Sequence, residues 1–318
     1  LPAEMSYKSV HRDFLAGLEE DSNLKSLKYD AFRKLWHQLT PEIQIMSPRT
    51  DLCDTCQHFR DGLHYNARQE EEAKDLLKRF KEHLSKARLE RNYYNKNTKL
   101  AEEQRKLVNQ NYSKGKTQYC SIDATAHYSY DWAQNVHVPH LDQQVSKIYY
   151  LSPCKVHLFG IQDEAVREQI NYVLNEDEII GKGPNGTLSM IFDGIKKLNK
   201  GEKHLKITCD NAGGQNKNNV TIWFYLYLVI CGYYKSIELN FMVPGHTKFK
   251  CDGNFGMIKK LYRRTRVDCL DHVVEVVKKS SPAGLNKAQC YEGGKGFQYL
   301  DIKAILGIYF KKLPSIQK

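Results

Sequence analysis

Three aspartates carry the first chemical signal in this chain of 318 residues. Asp131 sits in a strand-like run over 126–139, and Asp210 closes the run His204–Asp210 just before a Gly-Gly turn. Asp252 ends the string Gly245-His-Thr-Lys-Phe-Lys-Cys-Asp252, at the head of an amphipathic helical pattern. Carboxylates brought together from separate strands can hold a pair of Mg²⁺ or Mn²⁺ ions for phosphodiester chemistry. One ion would activate the attacking water or 3′-hydroxyl and the other would stabilise the leaving oxygen. In such a site Asp131 would bridge the ions, and Asp210 and Asp252 would bind one each. Simpler roles exist beside this one. Asp-Asn ahead of Gly-Gly is a good turn initiator, and Asp252, with Asn254 close by, suits a helix cap.

Other residues extend or compete with the set. Asp123 is also strand-like and rivals Asp131 for the first position, whereas Asp142 and Asp163 read as surface charges near turns. His246 could contact a phosphate or shuttle a proton, or simply make a structural hydrogen bond. Asn211, Gln215 and Asn216 could bond substrate or backbone around the acids. Cys53-Asp-Thr-Cys56 has the spacing of a zinc half-site, with His58 and His64 nearby and His64 the preferred third ligand. A redox pair or two unrelated thiols would have the same spacing. Gly181-Lys-Gly-Pro-Asn-Gly186 matches a dinucleotide fingerprint, but the preceding 175–180 is too acidic for a buried strand. It reads as a loop, with Asn185 or Thr187 capping the next helix, so no small-molecule cofactor is expected. No nucleophile-elbow pattern surrounds Cys209, Cys231 or Cys251.

These residues need a scaffold, and the apolar spacing supplies one. Residues 1–65 predict a small α-helical module: two helices near 6–15 and 28–39, helix-turn-helix-like, with Arg33, Lys34, His37 and Gln38 on the polar face of the second. Residues 66–117 predict a long charged helix and linker. Its heptad rhythm of Ala73, Leu77, Phe80, Leu84 and Ala87 is interrupted at Arg91. That helix either lies on its own core or pairs two subunits through 66–107. Over 118–270 the order is three strands and then helices and strands in alternation. The second strand is expected at 146–152 continuing into 155–161. This is the order of a ribonuclease-H-like α/β fold, a mixed sheet flanked by helices, with Asp131 on the central strand and Asp210 on the fourth. Residues 271–318 remain as a basic C-terminal extension.

Charge points to a polyanionic partner. The net charge is +11, and the stretch 248–318 holds 15 Lys or Arg against 6 Asp or Glu, a net +9. DNA is the expected partner. In the helix after Asp252, Phe255, Ile258, Leu261 and Tyr262 share one side, while Lys259, Lys260, Arg263, Arg264 and Arg266 form a basic ridge. Nine cysteines without framework spacing point to a reducing compartment, and with DNA as partner to the nucleus. The apolar stretch 220–231 is too short to cross a bilayer and reads as a buried helix. The first residue is Leu1, so upstream sequence is expected.

Three strings then add a resemblance. At Tyr128–His137, Cys209-Asp-Asn-Ala-Gly-Gly-Gln-Asn-Lys-Asn218 and Gly245–Asp252 the chain resembles transposase-like, integrase-type proteins of eukaryotic mobile elements. The likeness extends to Pro48–Cys56, Gly181-Lys-Gly183 and Tyr309–Pro314, and covers most of the chain from about residue 6. It implies a core with a three-aspartate acid set that cleaves DNA and joins strands with divalent metal. Two alternatives stand beside it: a catalytically silent, domesticated nucleic-acid-binding protein, and a zinc-stabilised protein-interaction module.

Overall fold

Alternation along one strand sets the layout. In β1 (Ile122–Trp132) successive side chains point to opposite faces. Ala126, Tyr128 and Tyr130 enter an apolar layer, whereas His127 and Ser129 face polar partners. Strand β5 (Glu202–Cys209) repeats the division, with Leu205, Ile207 and Cys209 in the apolar layer and Lys206 and Thr208 opposite. Along β1 and β5 the sheet therefore has one oily face and one polar face, and the polar one carries Asp131.

The structure is a computed structural model and describes residues 1, 5–19, 26–45, 52–66, 70–111, 118–141, 143 and 146–311. The expected helix linker at 20–25, the motif residues 48–51, the linker residues 112–117, Asp142 and the terminal 312–318 lie outside these. The chain divides into two compact units, Leu1–Gln57 and His58–Lys318, the boundary falling within one helix. In the larger unit the sheet order is β6-β5-β1-β3-β4-β7, with β2 (Val136–Val138) on β3. Strand β3 (Cys154–Asp163) runs antiparallel to both β1 and β4 (Glu168–Asn175). Strand β5 is parallel to β1, and β6 (Ser236–Phe241) is parallel to β5. Three antiparallel strands followed by two parallel ones on the far side of the first is the ribonuclease-H-like order. Parallel neighbours need crossovers, which are supplied by α5 (Pro184–Leu198) and α6 (Asn219–Ile230).

These two helices and α9 (Ile302–Tyr309) cover the oily face. Leu188, Met190, Ile191 and Ile195 of α5 are fully buried there, each worth roughly 1.5–3 kcal/mol of burial. On the other face α7 (Lys250–Tyr262) and α8 (Leu270–Lys279) pack through Phe255, Ile258, Val273 and Val277. The long α4 (Glu70–Asn111) lies along the polar side of β1. Its heptad stripe does not stop at Arg91. It continues through Tyr94, Thr98, Ala101, Arg105 and Val108, which are all buried, but now in mostly polar residues that meet a polar surface. Thr98 Oγ1 and Thr208 Oγ1 hold the buried His127 imidazole at 3.3 and 2.9 Å, and burial followed by the Lys206 and Lys250 charges keeps that ring neutral, with its pKa near 3. Arg105 reaches across β1 to Asp163 on β3 at 2.7 Å and Glu202 on β5 at 2.9 Å.

Several expectations change. Asp163 is no surface charge: it is 1 % exposed and paired with Arg105. Residues 146–150 form a 3₁₀ turn, and the strand starts only at Cys154. The run 126–139 is two strands, β1 and β2, rather than one. The basic extension is part of the fold, because β7 (Asn286–Cys290) extends the sheet beside β4. Helix α5 begins at Pro184 with Gly183 at its cap, so Asn185 and Thr187 lie inside it. The apolar stretch is α6, 12 residues long, and among the described residues no helix is long and apolar enough to cross a membrane.

The smaller unit is built on α1 (Tyr7–Glu19) and α2 (Tyr29–Leu39). Phe32 is its buried centre, against His11 and Phe14, and His11 Nε2 bonds Leu27 O at 2.7 Å. Arg33, Lys34, His37 and Gln38 are exposed on α2, as the helical spacing predicts. Cys53 and Cys56 are buried at the start of α3 (Asp54–Tyr65), the helix that crosses the unit boundary.

Candidate metal centre

Strand register brings the acids together. Ser129 of β1 pairs with Thr208 of β5, so Asp131 and Asp210, two residues further along parallel neighbours, stand level at the ends of their strands. Asp252 arrives from the first turn of α7, which packs on β1 and β3. Its carboxylate Oδ2 accepts from Phe249 N at 2.9 Å, and Asp252 N in turn donates to the Phe249 carbonyl at 3.2 Å, which caps the helix start. Asp210 Oδ1 accepts from Asn216 Nδ2 and from Ala212 N, the latter at 3.3 Å, so the turn chemistry is present as well. Asp131 Oδ1 accepts from Trp132 N at 2.7 Å. Each of these bonds uses one oxygen of its carboxylate. Cap and turn thus fix the orientation of the acids.

The electrostatics around the three acids suit a cation. Burial first, then the charges of Asp210 and Asp252, lift the Asp131 carboxyl to about 7, opposed by the Trp132 amide and by Lys182. Burial also raises Asp252, against the Phe249 amide, Lys248, Arg91 and Lys259. Hard oxygen donors with mutual repulsion suit Mg²⁺ or Mn²⁺.

A stability test follows from the sign of this shift. Unfolded, Asp131 titrates near its ordinary 3.8; folded, near 7. Between those values the folded chain holds a proton that the unfolded chain has released. The group's contribution is therefore greatest below roughly pH 4 and is lost as pH rises through about 7. Asp131→Asn cannot ionise and should stabilise the metal-free protein at pH 8 by on the order of 2 kcal/mol, with little gain at acid pH. Urea unfolding at both pH values checks this, and a gain independent of pH would count against it.

The remaining candidates separate. Asp123 lies at the start of β1 with its side chain 82 % exposed, near His204, well away from the acids at the strand's other end. Lys260, Arg263, Arg264 and Arg266 are exposed and Lys259 half-buried, while Phe255, Ile258 and Tyr262 are buried, as the amphipathic pattern requires. Arg266 is drawn into an ion pair with Asp268 at 3.0 Å. His246 turns to the long helix instead of the acids: its Nε2 lies 3.1 Å from Nε2 of His83, and Arg91 Nη2 donates to its carbonyl at 3.1 Å. His64 is exposed in the last turn of α3. The eight residues from Cys56 to His64 rise about 12 Å along a helix, too far to share one ion, so His64 is no third ligand to that pair.

Sequence reasoning missed Lys182 and His83. Lys182 Nζ sits 5.0 Å from the Trp132 ring centroid and 3.4 Å from Asn135 Oδ1, beside the segment that bears Asp131. Its place between Gly181 and Gly183, just before α5, was the available signal. His83 had none, since it falls between the heptad positions of α4.

Residues 147–318 match the family described as Domain of unknown function (DUF7869), more than half of the chain. The chain belongs to this family. Asp210 and Asp252 lie inside the matched region, and Asp131 lies before it. Comparison with curated proteins gives no match. Among solved structures the chain is similar to one described as the crystal structure of a pre-cleavage Mos1 transpososome. The identity is 10 % and the TM-score 0.29, over 86 % of this chain and 84 % of that one. At that score the likeness is too loose to transfer a residue or an activity.

Proposed function

We propose that this protein is a transposase-like enzyme that cleaves and rejoins DNA phosphodiesters with divalent metal at Asp131, Asp210 and Asp252. The observation that carries the reading is the placement of three acids from β1, β5 and α7 close enough that two of them raise the third. The strand order and the resemblance of the three motif strings support it. When bound, Mg²⁺ or Mn²⁺ would supply Lewis-acid stabilisation of the phosphate oxygens. The chain's own residues orient the carboxylates through the Trp132, Ala212 and Phe249 amides and the Asn216 side chain. Lys182, Lys248 and Lys259 place positive charge around them, which suits an incoming phosphate. Mg²⁺- or Mn²⁺-dependent nicking of DNA carrying the element's terminal repeats is the direct test. Cys53 and Cys56 belong to the same reading as a zinc half-site in the N-terminal module, and release of metal on thiol modification reads it out.

The silent DNA-binding alternative keeps one favourable observation, since Asp210 and Asp252 already have structural bonds in turn and cap. Steeply salt-dependent DNA binding with no metal-dependent nicking would select it. Both readings use the α7 ridge. Replacing Lys260, Arg263 and Arg264 together by Ala should flatten the slope of log affinity against log salt by up to about 3, with the fold kept. A slope unchanged in a filter-binding or fluorescence titration would remove the ridge from the interface.

A further inference from the structure

We propose that His83 and His246 ligate a zinc ion, separate from the carboxylate centre, that clamps the loop before α7 to the long helix α4. His83 lies on α4, and His246 in the segment between β6 and α7. Their Nε2 atoms face each other at 3.1 Å and their ring centroids are 5.0 Å apart at 59°. Two imidazoles on a tetrahedral zinc, each about 2.0–2.1 Å from the metal, place their nitrogens roughly 3.3 Å apart. The observed separation is close to that value.

Phe59 packs on His83 at 6.4 Å and on Phe80 at 5.6 Å, giving the pair an apolar wall. The loop is held to α4 at neighbouring points too: Val243 N donates to Glu90 Oε2 at 2.5 Å, and Lys250 N to Tyr94 OH at 3.1 Å. An ion at the histidines would fix the middle of that loop, and with it Lys248 and the entry of Asp252 into its turn. Nitrogen donors select zinc over magnesium, so the two centres differ in their metal.

A hydrogen bond between two imidazoles gives a similar distance, and the test separates the two. His83→Gln and His246→Gln keep a side chain able to hydrogen-bond but remove the aromatic nitrogen donor. Zinc in the full chain is measured after growth with added zinc and dialysis, with circular dichroism as the check on folding. We expect each Gln variant to lose about one zinc per chain relative to the wild type. The zinc edge of the wild type should show imidazole nitrogen at about 2.0–2.1 Å. Asp131→Asn with Asp210→Asn should keep the zinc. Zinc content equal in wild type and both Gln variants would overturn the proposal, as would an edge without imidazole or zinc lost only with the aspartates. None of these readings depends on DNA cleavage, so failure of the nuclease assignment would leave this result standing.

Discussion

Asp210→Asn should reduce metal-dependent nicking at least about a hundredfold while leaving the protein folded. A carboxylate that positions a divalent ion contributes several kcal/mol to the transition state, and each 1.36 kcal/mol is tenfold in rate. Asn keeps the size and one acceptor oxygen, so the turn bonds from Ala212 and Asn216 can persist while the charge that attracts the ion is gone. The effect should fall on kcat more than on KM, because the basic ridge on α7 is untouched. Activity would be followed by conversion of supercoiled to nicked DNA at saturating Mg²⁺ or Mn²⁺, with Asp123→Asn as the matched control. Full activity in Asp210→Asn, or an equal loss in Asp123→Asn, would sink the assignment.

Arg105→Ala should be the most destabilising single change described here, at about 3–5 kcal/mol. Its side chain is 6 % exposed and sits between two carboxylates that are each 2 % exposed. Removal leaves both acids buried without their cation, and it also detaches α4 from the two strands that flank β1. Arg105→Lys should recover only part of the loss, since one ammonium cannot offer the two-pronged donor geometry of a guanidinium. Urea denaturation midpoints at constant slope measure it, and a loss under about 1 kcal/mol would show the triad to be far weaker than its burial implies.

Much of the fold was legible because the apolar pattern alone specifies it. The strand order, the covering helices and the strand-end position of Asp210 follow from periods of two and of 3.6 residues, whereas Asp131 falls inside a run that only the structure divides, ending β1 at Trp132. What stayed hidden is polar. Arg91, Thr98 and Arg105 occupy core-facing positions of α4, so an apolar template reads the heptad as broken at the point where it begins to contact the sheet. Asp163 looks like a turn residue locally, and only its distant partner Arg105 makes it a core residue. His246 was drawn to the acids by closeness in sequence, whereas the loop folds it back on His83. Long-range polar pairing leaves no local periodic trace.

The boundary of the family match has a practical meaning for anyone cutting the gene. Residues 147–318 contain β3 and β5 but not β1, the strand between them. A fragment cut there would carry two raw sheet edges and a gap where the central strand belongs, an invitation to pair with other chains. It would also lack Arg105, the counter-charge for Asp163 and Glu202. A fragment that keeps the sheet whole therefore has to include β1 and the part of α4 that carries Arg105, and the helix that looks like a spacer covers the polar side of β1.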